Sequence, residues 1–499
     1  MYILTNQQMR DADRYTIETL NVPSLTLMER AGRALADRAK TLAGNGSVVC
    51  VCGGGNNGGD GFVCARLLKE MGVDARVVCF SDKFSKECAE NKSKWEEMGG
   101  EILASLPTEK NSLIIDCLFG TGFKGELTGK ALETVEQINA CKEKGVKVLS
   151  ADIPSGLNGD NGLCVGACVK ADETICIGEM KAGVILNDGK DFAGEIKRVD
   201  IGISLPSDNY ATLIDHALAK TLLPKRKNNS HKGTFGKTAI VGGSMDYTGA
   251  AYLSAIACLR SGVGYTTLFI PNDLLPYYFL KTPELLLKGI CDGGRYAFNG
   301  ERMKTLLEFD SIAYGMGMGC SLDVAKGAKY LLKHYTGKLV LDADGLNSLA
   351  AFAKEELLTL FTHKKCDVLL TPHCKEFSRL SQKSVADVIA DGLQAANEFA
   401  QRYNVSVLLK SATSILTDGK TTLVNATGNC GQAKGGSGDV LSGLIAGLCG
   451  SGVSVFNAGA LGAFLSGVAA DLAVKDVGVY ALTASDCAQY ISKAFLSLS

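Results

Sequence analysis

Short apolar runs of strand length alternate along the chain with longer stretches whose apolar positions recur every three or four residues. Thr5-Asn6-Gln7-Gln8 reads as a capping box opening a first helix, and a second helix is predicted over 25–42. Strands are then predicted at 47–52, 75–80, 112–117, 146–151, 172–177 and 195–199, with helices at 59–71, 85–98 and 130–144 between them. Apolar strands alternating with amphipathic helices imply a parallel sheet covered on both faces, an α/β architecture. After Ile203 the pattern stops. Pro206, Pro224 and the polar basic run Lys225-Arg226-Lys227-Asn228-Asn229-Ser230-His231-Lys232 mark a boundary near 205–225. A second series follows, with strands at 238–241, 265–270, 311–314, 338–341, 367–370, 405–409 and 414–417. Its helices are predicted at 249–260, 384–403, 440–448, 453–473 and 485–496. The expected domains are therefore 1–214 and 215–499. They share no motif, so they are two different domains and not a duplication.

Composition narrows the picture. A chain of 499 residues exceeds one ordinary core. The net charge of −1 gives no reason to expect nucleic acid or an acidic membrane surface as a partner. Abundant Gly (58) and scarce Pro (9) suit tight strand-to-helix turns. The 18 cysteines form no CxxC pair, and many fall in apolar runs, as Cys50, Cys52, Cys79, Cys117 and Cys176 do. They read as buried reduced thiols, which points to the cytoplasm. The first residues lack the charged-then-apolar pattern of a signal peptide. Residues 440–470 carry no charge, but Gly450-Ser451-Gly452 interrupts them, so two buried helices are expected there and not a membrane span.

Candidate chemistry sits where strands end. Gly53-Gly54-Gly55-Asn56-Asn57-Gly58-Gly59-Asp60-Gly61 follows a strand and opens a helix, so anionic groups can reach backbone N–H donors. Asn-Asn in its centre departs from the dinucleotide fingerprint and supplies carbonyl oxygens for a hard cation or a ligand amide. Asp116, followed by Phe119-Gly120-Thr121-Gly122-Phe123, ends the next strand. Asp152-Ile153-Pro154-Ser155-Gly156-Leu157-Asn158 ends the one after. Ligands of open parallel sheets bind at such ends, which gathers Asn57, Asp116, Asp152 and Ser155 around one crevice.

In the second half, Gly435-Gly436-Ser437-Gly438-Asp439 precedes an apolar helix. Its glycines and free helix N–H groups favour an anion, and Asp439 can take a proton from a hydroxyl meeting a phosphoryl group. Val241-Gly242-Gly243-Ser244, Thr248-Gly249-Ala250-Ala251, Gly315-Met316-Gly317-Met318-Gly319, Leu341-Asp342-Ala343-Asp344, Thr371-Pro372-His373 and Leu408-Leu409-Lys410 also mark strand ends or helix starts. Ala250 and Ala251 leave room for a flat ligand, although plain helix–sheet packing explains alanines there equally well.

The NNGGDG, DxLFGTG and DIPSGLN loops together resemble the NAD(P)HX epimerases over about residues 1–210. The resemblance implies a Rossmann-like sheet, with Asn56, Asn57, Gly58, Gly59 and Asp60 against the hydrated dinucleotide. It places Gly120, Thr121, Gly122, Phe123, Lys124, Gly125 and Glu126 there too. It further implies a potassium ion held by Asn57, Asp116 and Ser155, and substrate contact at Asp152, the candidate base for inverting the 6-hydroxyl centre. HKGTFGK, VGGS, TGAAYLSA, LDADGLN, TPH and GGSGDVLSG resemble the ADP- or ATP-dependent NAD(P)HX dehydratases, of ribokinase-like fold, over about 225–499. That resemblance implies nucleotide contacts at Lys410, Ser411, Ala412, Thr413, Ser414 and Gly438. It implies substrate contacts at Ala250 or Ala251, Gly317 or Gly319, His373 and Asp439, with Asp439 as base, magnesium bridging phosphate oxygens, and ADP or ATP as donor. The fused layout favours ADP.

Three positions depart from that pattern: Cys374-Lys375-Glu376 after TPH, Ser411 where Gly is usual, and Cys430 where Pro is usual. Ser411 and Cys374 are expected to narrow the nucleotide site. The resulting expectation is two three-layer αβα domains. One equilibrates the epimers of hydrated NAD(P)H and the other dehydrates one of them, in a homo-oligomer with small-molecule partners only. A ribokinase-like small-molecule kinase is the main rival, and the NNGGDG domain argues against it. A non-catalytic nucleotide-binding regulator would lack Asp152 or Asp439, and both are present.

Overall fold

The computed structural model describes residues 1–107 and 112–499, which form two compact units, Met1–Ala211 and Thr212–Ser499. In the first unit the sheet order is Ile102–Leu103, Ala75–Cys79, Val48–Cys52, Leu113–Cys117, Lys147–Ala151, Glu173–Ile177, Glu195–Val199, with every pairing parallel. Alternation along Val48–Cys52 explains its two coverings, since successive side chains leave opposite faces. Val48, Cys50 and Cys52 join one core with Leu35 and Phe62, from helices Ser24–Ala43 and Asn56–Glu70. Val49 and Val51 join another with Val135 and Ile138, from helix Gly129–Glu143. The strand order reverses between Val48–Cys52 and Leu113–Cys117, the switch point where a crevice opens in such sheets.

The second unit repeats the logic with different connections. Leu286–Gly289, Tyr265–Ile270, Lys237–Val241, Ser311–Tyr314, Lys338–Leu341, Asp367–Leu370 and Ser406–Leu409 lie side by side and parallel. Ser414–Thr417 and Thr422–Asn425 continue the sheet antiparallel. Here the order reverses between Lys237–Val241 and Ser311–Tyr314. Helices Thr248–Leu259, Ser437–Gly450 and Val455–Val477 share one core with Ile240, Leu268, Ala313, Val340, Leu369 and Leu408. Val455–Val477 is long and apolar enough to cross a membrane, yet 72% of its apolar window is buried inside the protein. The uncharged stretch thus folds as two helices, as its Gly-Ser-Gly interruption predicts.

Several expectations need correction. The helix after the first glycine loop begins at Asn56, earlier than the predicted 59. Gly59 and Gly61 are close-packing positions within it: a Cβ at Gly59 would meet the Met28 side chain at 2.6 Å, and one at Gly61 the Cys52 sulfur at 2.6 Å. Read locally, Asn56, Asn57 and Gly58 signal loop; in the fold they form the helix's first turn, and Gly59 and Gly61 let the helix approach its neighbours. The single helix predicted over 384–403 is two, Val385–Ala390 and Gly392–Tyr403, because Asp391 leaves helical geometry at φ −139°, ψ 43°. Helix Leu322–His334 was absent from the pattern reading, although Val324, Ala328, Leu331 and Leu332 bury at helical spacing.

Candidate functional site

In the first unit a cavity of about 640 Å³ opens at the switch point. Its wall includes Asn56, Asn57, Asp60, Asp152 and the loop residues Gly120, Thr121, Gly122, Phe123 and Lys124. Gly58 and Gly59 lie in the adjoining helix turn, while Gly125 and Glu126 continue the loop beyond the wall. Gly58 has no alternative: a Cβ there would stand 1.9 Å from the Gly53 carbonyl oxygen.

Asp152 ends strand Lys147–Ala151 in the left-handed region, φ 68°, where a non-glycine backbone is strained by about 1–3 kcal/mol. That turn aims its carboxylate inward. Oδ1 accepts from the Ile177 N–H at 3.1 Å and from the Lys181 ammonium. Lys181 is almost wholly buried and donates also to the Ile177 carbonyl at 2.6 Å. Asp60 and Asp13 share the wall with Asp152. Burial pushes the Asp60 carboxyl well up, and Asp152 adds to the effect. Burial likewise pushes Asp13 up to about 6, against the pull of Lys181 and with a push from Asp152.

Beneath the wall, Asp116 is fully buried. It accepts from the Ser155 hydroxyl at 2.6 Å, the Ser155 N–H at 2.8 Å and the Ser150 hydroxyl at 3.0 Å. Burial raises its pKa, and the Ser155 bonds oppose the rise. Asn57 donates its amide to the Phe119 carbonyl at 3.0 Å, while its buried Oδ1 has no partner. The Ser155 hydroxyl meanwhile accepts from the Phe119 N–H at 2.9 Å. Asn57, Asp116 and Ser155 therefore converge around one backbone segment. The unpaired Asn57 oxygen fits a weakly hydrated cation, because an orphaned buried acceptor otherwise costs about 1–3 kcal/mol.

In the second unit the glycine loop leads into helix Ser437–Gly450, with Gly436 left-handed at φ 96° and Asp439 in the first turn. Burial, reinforced by Asp342, raises the Asp439 carboxyl to about 7. Asp342, at the end of strand Lys338–Leu341, is 1% exposed. It accepts from the Lys410 ammonium at 2.7 Å and from the Ser442 hydroxyl at 2.6 Å. Burial acts to lower the Lys410 pKa, but Asp342 and Glu376 outweigh it and the net shift is upward. A Cβ at Gly438 would stand 3.3 Å from that ammonium, so the glycine seats the charge directly over the helix start. Lys410–Ser414 forms the turn between strands Ser406–Leu409 and Ser414–Thr417, closed by Ser411 donating to the Thr413 carbonyl at 2.6 Å. Ala412 lies in the same turn.

Each of the two family models matches within one of the compact units. The model of the NAD(P)H-hydrate dehydratases matches residues 238–493, and that of the YjeF-related protein N-terminus matches residues 24–183. A bifunctional NAD(P)H-hydrate repair enzyme of Moorella thermoacetica is 33% identical over 519 residues, spanning 98% of this chain and 96% of its own. One of Thermofilum pendens is 34% identical over 516 residues, spanning 100% and 97%. This chain belongs to the bifunctional NAD(P)H-hydrate repair enzyme family. Among solved structures, an ADP/ATP-dependent NAD(P)H-hydrate dehydratase of Bacillus subtilis, co-crystallized with ATP/Mg2+, is 24% identical with a TM-score of 0.51. It covers 59% of this chain and 100% of its own, and it establishes the ribokinase-like fold of the second unit.

For a member of this repair family, the remaining predicted residues fall out unevenly. Gly317, left-handed at φ 65°, packs so close to Ala250 that an added Cβ would lie 2.8 Å from the Ala250 Cβ. Gly319 faces open space, with its N–H on Asp344 at 2.8 Å. Ala251 is 1% exposed and joins the core, the packing reading of that alanine. His373 caps helix Cys374–Ser381: its Nδ1 accepts from the Lys375 and Glu376 N–H groups, and Glu376 accepts from the His373 N–H at 2.9 Å. Burial and Lys410 lower its pKa, so the ring is neutral at neutral pH, and about half of its side chain stays exposed. The Cys374 sulfur rests 4.0 Å from the Lys410 carbonyl. Sequence reasoning missed Lys181, Asp13 and the role of Asp342. Lys181 and Asp13 belong to no motif. Asp342 stood in a quoted motif, and its position at a strand end was the available signal.

Proposed function

We propose that the first unit interconverts the R and S epimers of hydrated NADH and NADPH, and that the second dehydrates the S epimer with ADP as phosphoryl donor. The observation that carries the reading is Asp439, a buried carboxylate raised to about 7 in the first turn after a glycine loop, beside the Lys410 ammonium. A base titrating near the working pH is suited to taking the 6-hydroxyl proton as that oxygen attacks the terminal phosphoryl group. Phosphate then replaces hydroxide as leaving group at carbon 6, and loss of a carbon 5 proton restores the dihydronicotinamide. Lys410, held by Asp342, whose other oxygen accepts from the Ser442 hydroxyl, offsets charge on the transferring phosphoryl group. The carboxylates of Asp342, Asp344 and Glu376 that press on Asp439 form an acidic setting suited to magnesium. Asp344 would hold that ion together with the nucleotide phosphates, where it would neutralise phosphate oxygens. In the first unit Asn57, Asp116 and Ser155 would hold potassium, which would fix the substrate's position. Joining the two activities lets removal of one epimer draw the other through.

The direct test incubates the purified chain with mixed NADHX epimers and follows NADH absorbance. Complete recovery with ADP is expected, none without nucleotide, and slower recovery with ATP. Recovery that stops once the S epimer is consumed would remove the epimerase from the reading. Asp116→Ala is expected to weaken epimerisation and its response to potassium together, while dehydration of pure S epimer is unchanged. Epimerisation indifferent to potassium in the unaltered chain would refute the cation assignment.

A further inference from the structure

Helix Asn6–Arg14 buries Met9 and Ala12, and the next residue, Asp13, faces the same cavity as Asp152. The charged groups that share that wall with Asp13 are Arg10, Asp60, Glu87, Lys124, Asp152 and Lys181. Lys181 is committed to Asp152 and to the Ile177 carbonyl. Four carboxylates, Asp13, Asp60, Glu87 and Asp152, thus border one partly desolvated space in which the buried Lys181 ammonium is already paired, an arrangement in which like charges cannot all ionise freely. Environments that push neighbouring carboxyls apart in this way separate an acid from a base.

We propose that Asp13 is the second proton-transfer group of the first unit, the acid that works opposite Asp152. The proposal rests on the epimerase reading above. Carbon 6 of the hydrated ring bears both a hydroxyl and the ring nitrogen, so inversion needs one bond to open and re-form. Asp152 takes the hydroxyl proton, the oxygen's electron pair forms the C=O bond, and the C6–N1 pair moves onto N1. Asp13 delivers its proton to N1, which leaves an open-chain aldehyde. Rotation about C5–C6 exposes the other carbonyl face. N1 then attacks, its proton returns to Asp13, and Asp152 returns a proton to the oxygen. Atoms and electrons balance, with no oxidant, metal or water consumed. With Asp13 raised to about 6, about a tenth of it carries the needed proton at pH 7. That fraction falls as pH rises.

The test follows interconversion of separated R and S epimers by chromatography, with the full chain and no nucleotide, so that dehydration is silent. Rates are taken above the protein-free rate from pH 5 to 9. The unaltered chain is expected to lose rate as pH rises above about 6. Asp13→Asn removes only a charge that burial already disfavours. It is expected to fold, to dehydrate pure S epimer normally when ADP is added, and to interconvert epimers at least about 10²-fold more slowly, the size of a lost acid–base group. Asp13→Glu, which keeps the carboxyl, is expected to recover part of the rate and the pH limb. Interconversion by Asp13→Asn within threefold of the unaltered chain overturns the proposal. So does an unchanged pH limb in its residual activity, or failure of Asp13→Glu to recover any rate while S-epimer dehydration is normal. If the unaltered chain itself fails to exceed the protein-free rate, the epimerase reading falls, and the proposal with it.

Discussion

Asp439→Asn is expected to cut dehydration of the S epimer by at least about 10²-fold, the effect of losing a general base, with nucleotide binding retained. The reason is placement: a buried carboxyl in the first turn after the glycine loop, with Lys410 over Gly438 beside it. The unaltered chain adds a pH signature. A base raised to about 7 is half protonated there, so the dehydration rate is expected to rise with pH through 7 and level off above it. Stability runs the other way. The folded chain holds this proton more tightly than the unfolded chain, whose ordinary carboxyl titrates near 3.8, so rising pH withdraws stability between 3.8 and about 7. The amide variant carries no such penalty, and its Tm at pH 8 is expected to equal or exceed that of the unaltered chain. Turnover close to normal in the variant would remove Asp439 from the mechanism.

Asp152→Asn is expected to abolish use of the R epimer while pure S epimer is still dehydrated. Asparagine tolerates the left-handed φ of 68° well, so the turn survives and the proton acceptor is what is lost. The substitution also strips the carboxylate from the buried Lys181 ammonium, and breaking one side of a buried pair costs about 3–5 kcal/mol. A lower Tm for the first unit is therefore part of the expected result. A second variant, Asp152→Asn with Lys181→Met, removes the orphaned charge. It is expected to regain stability without regaining epimerisation. If either variant consumes both epimers faster than they interconvert alone, Asp152 is not the base.

Much of this was legible in the chain. Period-two and helical periodicities located the central strands of both sheets and the longer core helices, because burial on a sheet face or helix stripe writes a local signature, while strand Leu286–Gly289 and helices such as Leu322–His334 and Lys354–Thr362 escaped that reading. Glycine loops and carboxylates at strand ends marked the cavity of the first unit, since a parallel sheet presents its loops on one edge. Within the loops the local signal misled. Asn56, Asn57 and Gly58 read as loop but open helix Asn56–Glu70, in which Gly59 and Gly61 pack closely against Met28 and Cys52 despite their poor helix propensity.

What the sequence by itself determined is the α/β class, the division into two unlike halves, and the loops that border the first unit's cavity. All follow from patterns between neighbours in the chain. Only the tertiary structure decided the charge partners. Lys181 reaches Asp152 across 29 positions, Lys410 reaches Asp342 across 68, and Ser442 reaches the same carboxylate across 100. Asp13 joins Asp152 from a helix at the other end of the unit's sequence. A carboxyl's tendency to hold or release its proton depends on burial and on charges brought close through space. No local periodicity encodes those distances, so which carboxylate acts as base is settled only when the sheets bring these side chains together.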